Sequence, residues 1–234
     1  VGRPRSYRLA LNGHGSRCLA TAATATLLLH NAGASRLSQR AFYIGNSEKR
    51  GTPVKGVVGR FGEGLNLALA ALWRAKCVPE IVSEGEPWEL SEHDGQLWVD
   101  PPGEDDVRFP IGAVQYAAHA MGVKEAIREL VSNWLDECAM QGGGVARLCA
   151  LERDHLEWAV DDDVGFLTWT GEEVEVPDDG VVFCLRGLAP DAFDPRGFLR
   201  LVPPSTSIRN ASRAGSLLLD LEHAGVVFVH GVRF

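Results

Sequence analysis

The chain has 234 residues, of which 45% are hydrophobic and 23% charged, and its formal net charge is −8 at pH 7. This length and composition allow a buried core without disulfides or metals, in one large domain or two small ones. The acidic balance argues against a broad duplex-DNA surface and against a nucleic-acid partner, although it leaves room for a local basic patch. No apolar run approaches the roughly 20 residues of a membrane span. The five cysteines are scattered without a CxxC pair, which is typical of free thiols in a reducing cytoplasm.

The first quarter of the chain predicts an arm, a strand, a short helix and a loop. Residues 1–20 are basic and irregular, which favours a flexible arm. Residues 21–29 form a short apolar run that ends at polar and small residues, which predicts a buried strand leading into a turn. Apolar residues at helical spacing predict a short helix over 36–44, and the polar, breaker-rich residues 46–53 predict an exposed loop.

A glycine-rich loop then leads directly into a helix. Gly59, Gly62 and Gly64 precede an apolar helical pattern over residues 63–76. Glycines allow another molecule to approach the main chain closely, and the first turn of a helix offers unpaired N–H groups at the positive end of its dipole. This combination is suited to binding phosphate. It is neither a Walker loop nor a Rossmann fingerprint, and a glycine-rich turn before an ordinary core helix fits the same spacing.

The rest of the chain predicts a mixed α+β structure. Residues 78–100 alternate polar and apolar around Asp94-Gly95, which predicts antiparallel strands joined by a tight turn. Residues 112–139 carry the strongest helical spacing, and residues 145–160 fit a short helix or a strand. The acidic run Asp161–Asp163 is more typical of a solvated turn than of a metal site. Four later segments read as strands: Phe166–Trp169, Val181–Leu185, Leu217–Leu219 and Val226–Val229.

Three segments within residues 26–83 resemble, in the right order, the nucleotide pocket of the GHKL superfamily, which includes gyrase, the large heat-shock chaperone, histidine kinases and MutL. The strand-turn Leu27–Gly33 resembles the strand that ends in an Asp-x-Gly box. The loop Gly45–Gly51 resembles the Gly-x-Ser-x-Lys segment that opens a mobile lid. Gly59–Leu65 resembles the second glycine box, and this match is the most specific of the three.

The resemblance implies a Bergerat-type two-layer α/β sandwich, with helices on one face of an antiparallel-rich sheet and a smaller β-rich region after it. The implied division is a basic arm over 1–20, a nucleotide-binding domain over 21–160, and a β-rich region over 161–234 that extends the same domain or forms a second one. The implied activity is binding of ATP with Mg²⁺, and hydrolysis that drives conformational switching of an unidentified protein client. A homodimer is also an expected state.

The resemblance also implies binding residues. Asn31 and Gly33 would meet adenine, and Lys49 or Arg50 would screen phosphate charge from the lid. The phosphates would lie on the glycine box, whose residues are Gly59, Arg60, Phe61, Gly62, Glu63 and Gly64. Asn31 stands where the family has an aspartate, and its amide oxygen accepts the same hydrogen bond without the charge. His30 directly precedes this contact.

One part of the family pattern is absent from its expected place. The family has a helix upstream of the first box, with a glutamate that activates water and an asparagine that binds magnesium. No acidic residue precedes Glu48 in this chain. Three explanations stay open: the helix lies upstream of Val1, the chain is a degenerate member, or Glu63 or another carboxylate substitutes. A degenerate member would be a protein-interaction or regulatory module, and a DNA-processing role has no support from the charge.

Overall fold

The computed structural model describes residues 24–34, 36–42, 63–103, 107–116, 121–141, 147–151, 155–159 and 164–193, together with four short strands between 207 and 233. The helices are α1 (Gly64–Arg74) and α2 (Val123–Met140), and one 3-10 turn spans Gln39–Phe42. The first nine strands are β1 (Ala25–Asn31), β2 (Glu80–Ser83), β3 (Glu86–His93), β4 (Gln96–Asp100), β5 (Phe109–Ala113), β6 (Arg147–Leu151), β7 (His155–Ala159), β8 (Phe166–Thr170) and β9 (Val181–Leu188). Two separate pairs follow, β10 (Ser207–Arg209) with β11 (Ser216–Leu218) and β12 (Phe228–Val229) with β13 (Val232–Arg233).

The nine strands form one antiparallel sheet in the order β5-β4-β3-β2-β9-β1-β8-β7-β6. β1 lies inside this sheet, between β9 and β8, and all seven of its residues are buried. A strand that is covered on both faces has no need of polar alternation, which explains the continuous apolar run in its sequence. β8 and β9, from the chain's last third, therefore flank the strand that opens the described fold.

Both helices pack on the same face of the sheet. Leu27 and Leu29 of β1 lie in one core with the apolar residues of α1 and α2, whereas Leu28 points to the opposite face. There Leu28 packs with residues of β2 and β9 under Val174 and Val176. The alternation of side chains along β1 thus separates a helix-covered face from a face covered by the segment before β9.

The helix α1 connects the two halves of the helix-covered face. Its Ala68 and Leu72 join the core beneath α2, while Leu69 joins a second core formed with β2 to β5. The buried Asn66 donates from Nδ2 to the main-chain oxygens of Phe42 and Ile111, at 2.7 and 2.9 Å. These two hydrogen bonds hold the first turn of α1 against the end of the 3-10 turn and against β5.

Several sequence predictions are confirmed. The protein is of the mixed α+β class and consists mostly of sheet. The predicted strand before the first turn and the predicted helix after the glycines are both present, as β1 and α1. β3 and β4 form a hairpin in which Asp94 and Gly95 have φ of +54° and +75°, as a tight two-residue turn requires. The four segments predicted as later strands overlap β8, β9, β11 and β12.

Two boundaries differ from the prediction. The helix expected over 112–139 begins only at Val123, because residues 109–113 pair with β4 and Val114 donates its main-chain N–H to Gly95. The helix expected over 36–44 is a single 3-10 turn in the described residues. Residues 145–160, left open between helix and strand, contain β6 and β7. The predicted arm over 1–20 and the predicted loop over 46–53 lie outside the described residues.

Candidate functional site

The end of β1 carries a buried acceptor without a donor. Asn31 is 4% exposed, and the alternation along β1 places its side chain on the helix-covered face with Leu29. Its Oδ1 atom is buried and has no hydrogen-bond partner in the described part of the chain. An unpaired buried acceptor costs roughly 1–3 kcal/mol, so in native proteins such a group is commonly paired with an ordered water, an ion or a ligand. The position therefore suits a water or a ligand with an N–H or O–H donor.

The turn after β1 approaches the end of α2 closely. A Cβ atom added at Gly33 would lie 2.6 Å from Oε1 of Gln141, the residue that caps α2. This Oε1 atom is also buried and has no hydrogen-bond partner in the described chain. The absence of a side chain at Gly33 therefore lets a second unpaired acceptor reach the same turn.

The first turn of α1 faces a carboxylate from α2. The N-cap residue Glu63 makes no side-chain capping hydrogen bond, and the first helical bond runs from Leu67 N to Glu63 O. A Cβ atom at Gly64 would collide with Oε2 of Glu129 on α2. Glycine at this position thus allows the Glu129 carboxylate to lie at the positive end of the helix dipole, which favours a negative charge there.

One side of α2 carries a row of polar residues; this side, the end of β1 and the first turn of α1 together form what we call the corner. Glu129 and Asn133 are four residues apart and therefore share a face, with Asp136 on the next turn of the same side. Asn133 Nδ2 donates to the main-chain oxygen of Glu129 at 3.0 Å, which leaves its Oδ1 as the acceptor for a ligand. Asp136 is fully buried. Glu129 lies at the start of α1, and Gln141, which follows α2, lies at the turn after β1.

Two contacts fix α2 against β1. Trp134 Nε1 donates to the main-chain oxygen of His30 at 2.8 Å in a buried hydrogen bond. A Cβ atom at Gly165 would collide with Sγ of Cys138, so glycine at this position before β8 lets α2 approach the sheet. Burial raises the pKa of the Cys138 thiol to about 12, and the neighbouring Glu137 carboxylate adds to this rise, which keeps the thiol neutral and unreactive.

The side chain of His30 does not belong to this site. It lies on the opposite face of β1, with Nε2 at 3.1 Å from the main-chain oxygen of Asp179 and 3.4 Å from its Oδ1. The imidazole stacks on Phe166 with ring centroids 6.0 Å apart. His30 contributes only its main-chain oxygen to the corner, as the acceptor for Trp134.

Four of the predicted binding residues lie in the described part of the structure. Asn31 and Gly33 lie at the end of β1, and Glu63 and Gly64 lie at the start of α1. Six others lie outside the described residues: Lys49, Arg50, Gly59, Arg60, Phe61 and Gly62. The acidic run Asp161–Asp163 also lies outside them. The structure therefore describes the two ends of the predicted pocket and α2 between them.

A cavity beside α1 is too small for a nucleotide. It encloses about 10 Å³ and is lined by residues of α1, β5 and the turn after β5, Asn66 among them. That volume is close to the minimum for one water molecule, whereas drug-sized ligands occupy pockets of roughly 300–1,000 Å³. Asn66 Oδ1 is buried without a partner in the described chain, so a single water is the occupant that suits this cavity.

No protein-family model matches the chain, and comparisons with curated proteins and with solved structures gave no match either. Within the described ranges, no three His, Cys, Asp or Glu side chains are grouped closely enough to hold a metal ion on their own. No helix in that part of the chain has the length and apolar character needed to cross a membrane.

The site contains three residues that the sequence interpretation did not select. These are Glu129, Asn133 and Gln141, all on α2 or at its end. The Glu-x-x-x-Asn spacing at 129–133 is visible in the sequence, inside the segment with the strongest helical pattern. The resemblance places such a pair upstream of the first box, and only the packing of α2 against α1 reveals the downstream pair as a candidate.

Proposed function

We propose that this protein is a GHKL-type ATP-binding domain whose nucleotide lies between the end of β1, the first turn of α1 and the polar side of α2. The observation that carries the proposal is the contact between Glu129 of α2 and Gly64, the first residue of α1. It puts a carboxylate, and an asparagine one turn further along, beside the helix start where the phosphates would bind. Binding and hydrolysis of ATP would then drive a conformational switch that acts on a client protein.

Each part of Mg-ATP has a group of matching chemistry in this corner. The unpaired N–H groups of the first turn of α1 suit the phosphates, with the preceding glycine box and a lid lysine or arginine as further donors. The unpaired Oδ1 of Asn31 suits the amino group of adenine. Asn133 would hold the magnesium ion, which neutralises phosphate charge when it is bound.

Glu129 would act on the water that attacks the terminal phosphate. A general base must lie within hydrogen-bond reach of its water, and the Glu129 carboxylate lies beside the amides that would hold the phosphates. Its side chain is 30% exposed, and its Oε1 lies 3.7 Å from Nη2 of Arg128, the preceding residue on α2. Among the three explanations for the missing glutamate, this arrangement favours substitution by another carboxylate of the chain.

The order of elements would then differ from the family pattern. The helix that bears Glu129 and Asn133 follows α1 and five strands of the chain, whereas the family places it before the first box. The packing of both helices on one face of an antiparallel sheet supports the Bergerat-type sandwich as part of this proposal. A change in chain order is compatible with one spatial arrangement because sites depend on which elements pack together.

A protein-interaction or regulatory module without turnover is the second candidate. Asn31 favours it, because a neutral amide binds the adenine amino group less strongly than the family's aspartate. This module would still bind nucleotide through the same corner. Phosphate release at saturating Mg-ATP discriminates the two candidates: release no faster than in buffer favours the module.

The test combines titration calorimetry with phosphate release for the wild type, Glu129→Gln and Glu137→Gln. Glu137 is exposed on the same helix, eight residues further on, and is the matched control. We expect saturable Mg-ATP binding by all three proteins, and turnover about 10²–10⁴-fold slower in Glu129→Gln alone, the usual contribution of a general base. Absence of binding by the wild type refutes the proposal, and wild-type turnover in Glu129→Gln refutes the role of this carboxylate.

A further inference from the structure

The first turn of α1 carries a buried amide whose hydrogen bonds both leave its own helix. Asn66 is 4% exposed, and its Nδ2 atom donates to Phe42 O at 2.7 Å and to Ile111 O at 2.9 Å. The two acceptors belong to other elements, the 3-10 turn and β5. Asparagine is a poor helix former, so its presence inside α1 points to these tertiary bonds rather than to helix propensity. One side chain therefore joins three elements of the fold.

The acceptor on β5 lies at an irregularity of the sheet. β4 pairs in succession with Pro110 and Gly112, so Ile111 between them is an extra residue in β5. Gly112 has φ of +147°, a conformation that glycine adopts more readily than other residues. A bulge of this kind leaves its extra residue without a partner in the ladder, and Asn66 supplies the donor that Ile111 O then needs. The bulge thus fixes where the first turn of α1 meets the sheet.

The turn that Asn66 holds is also the start of the helix. The first helical bond runs from Leu67 N to Glu63 O, so the main-chain N–H groups of residues 64–66 have no partner within α1. The carboxylate of Glu129 lies beside this start. A displacement of the first turn would therefore move these N–H groups relative to α2 and to any anion that they bind.

We propose that Asn66 is a positioning residue of the nucleotide site, which holds the N–H groups of residues 64–66 where they bind phosphate. This inference rests on the proposed nucleotide site, and the Asn66 side chain itself touches no part of the nucleotide. Without its amide, Phe42 O and Ile111 O lose their buried donor, and the turn is no longer tied to either element. Hydrogen bonds to a charged phosphate depend on distance and angle, so phosphate binding weakens while the base and ribose are held as before.

The experiment measures dissociation constants for Mg-ATP and for adenosine, which lacks the phosphates. The proteins are the wild type, Asn66→Leu and the control Leu72→Ala. Leucine has the branching of asparagine without its donors, and Leu72 is fully buried near the other end of α1. We expect Asn66→Leu to bind Mg-ATP about tenfold or more weakly, the contribution of one hydrogen bond to a charged group, and adenosine within about twofold of the wild type. Leu72→Ala should keep the wild-type ratio of the two constants.

The outcomes separate this inference from the proposed function. Absence of Mg-ATP binding by the wild type refutes the nucleotide site, and the role of Asn66 with it. Wild-type affinity for Mg-ATP in Asn66→Leu, or an equal loss for Mg-ATP and adenosine, refutes the positioning role alone and leaves the site intact. Circular dichroism checks the fold of each variant. If Asn66→Leu does not fold, Asn66→Ser, which keeps one hydroxyl donor, should show the same selective loss for Mg-ATP at smaller size.

Discussion

The hydrogen bond from Trp134 to His30 O is one of the contacts that hold α2 against β1, and its strength is measurable by matched substitutions. Trp134 and Trp88 are both 5% exposed. Trp134 Nε1 donates to a buried main-chain oxygen at 2.8 Å, whereas Trp88 Nε1 has no hydrogen-bond partner in the described chain. Substitution by phenylalanine removes the same ring atoms at both positions, and only at Trp134 does it leave a buried carbonyl without its donor.

The expected difference follows from this single bond. Leaving a buried acceptor unpaired costs about 1–3 kcal/mol, while the loss of ring volume is common to both variants. Trp134→Phe should therefore be less stable than Trp88→Phe by about 1–3 kcal/mol. For a domain of roughly 150–250 residues this corresponds to a Tm lower by about 2–12 °C.

Thermal and urea unfolding followed by circular dichroism provide the measurement. The urea m-values of the two variants should agree, since neither substitution changes the surface exposed on unfolding by much. Equal stabilities, or a larger loss in Trp88→Phe, would show that the bond to His30 O does not anchor α2. The apolar packing of Ile127 and Leu130 in the core shared with β1 would then be what holds α2 in place.

Two further predictions concern the backbone and the thiols. Gly180 and Gly187 have φ of +64° and +69°, but a Cβ atom would collide with the main-chain oxygen of Asn31 only at Gly180. In both alanine variants the left-handed backbone lowers the free energy of unfolding by about 1–2 kcal/mol. Gly180→Ala should lose at least about 1 kcal/mol more, because its new methyl group overpacks the site. Equal losses of free energy in urea unfolding would contradict this. Burial raises the pKa of Cys138 to about 12 and that of Cys184 to about 11, from 9.0. Because both folded-state values lie above the unfolded value, the neutral thiols add stability below pH 9 that is lost as pH rises toward 12. At pH 8, iodoacetamide should label the half-buried Cys77 well before either buried thiol in the native protein, and mass spectrometry that finds Cys138 labelled as fast would disprove this order.

The fold class and most elements could be predicted from the sequence because local signals agree with the final structure. The apolar run of β1 and the Asp94-Gly95 turn each have a direct physical reading, and both are present. The start of α2 was misplaced, because the helix was predicted to begin at residue 112, whereas residues 112 and 113 pair with β4 and α2 begins at Val123. Strand pairing is a long-range interaction, and no local pattern reports it.

Only some residues of the candidate site could be predicted from the sequence. The resemblance of the strand-turn to the family's first box implied Asn31 and Gly33, and the glycines before a helical pattern indicated Gly64. Glu129 and Gln141 depend on which side of α2 faces α1 and where α2 ends relative to β1. These are tertiary contacts. Their only trace in the sequence is glycine at positions 64 and 33, where a side chain would collide with Glu129 or Gln141.

The direction of the polar side of α2 is set by its apolar side. Ile127, Leu130 and Trp134 lie in the core shared with β1 and α1, and they fix the rotation of the helix about its axis. With 3.6 residues per turn, that rotation leaves Glu129 beside Gly64 at the start of α1, with Asn133 on the same side of α2 one turn further on. A family resemblance based on chain order therefore overlooks this helix, whereas its packing makes it part of the candidate site. The apolar anchors of α2 are consequently as important to the proposed chemistry as the carboxylate that they orient.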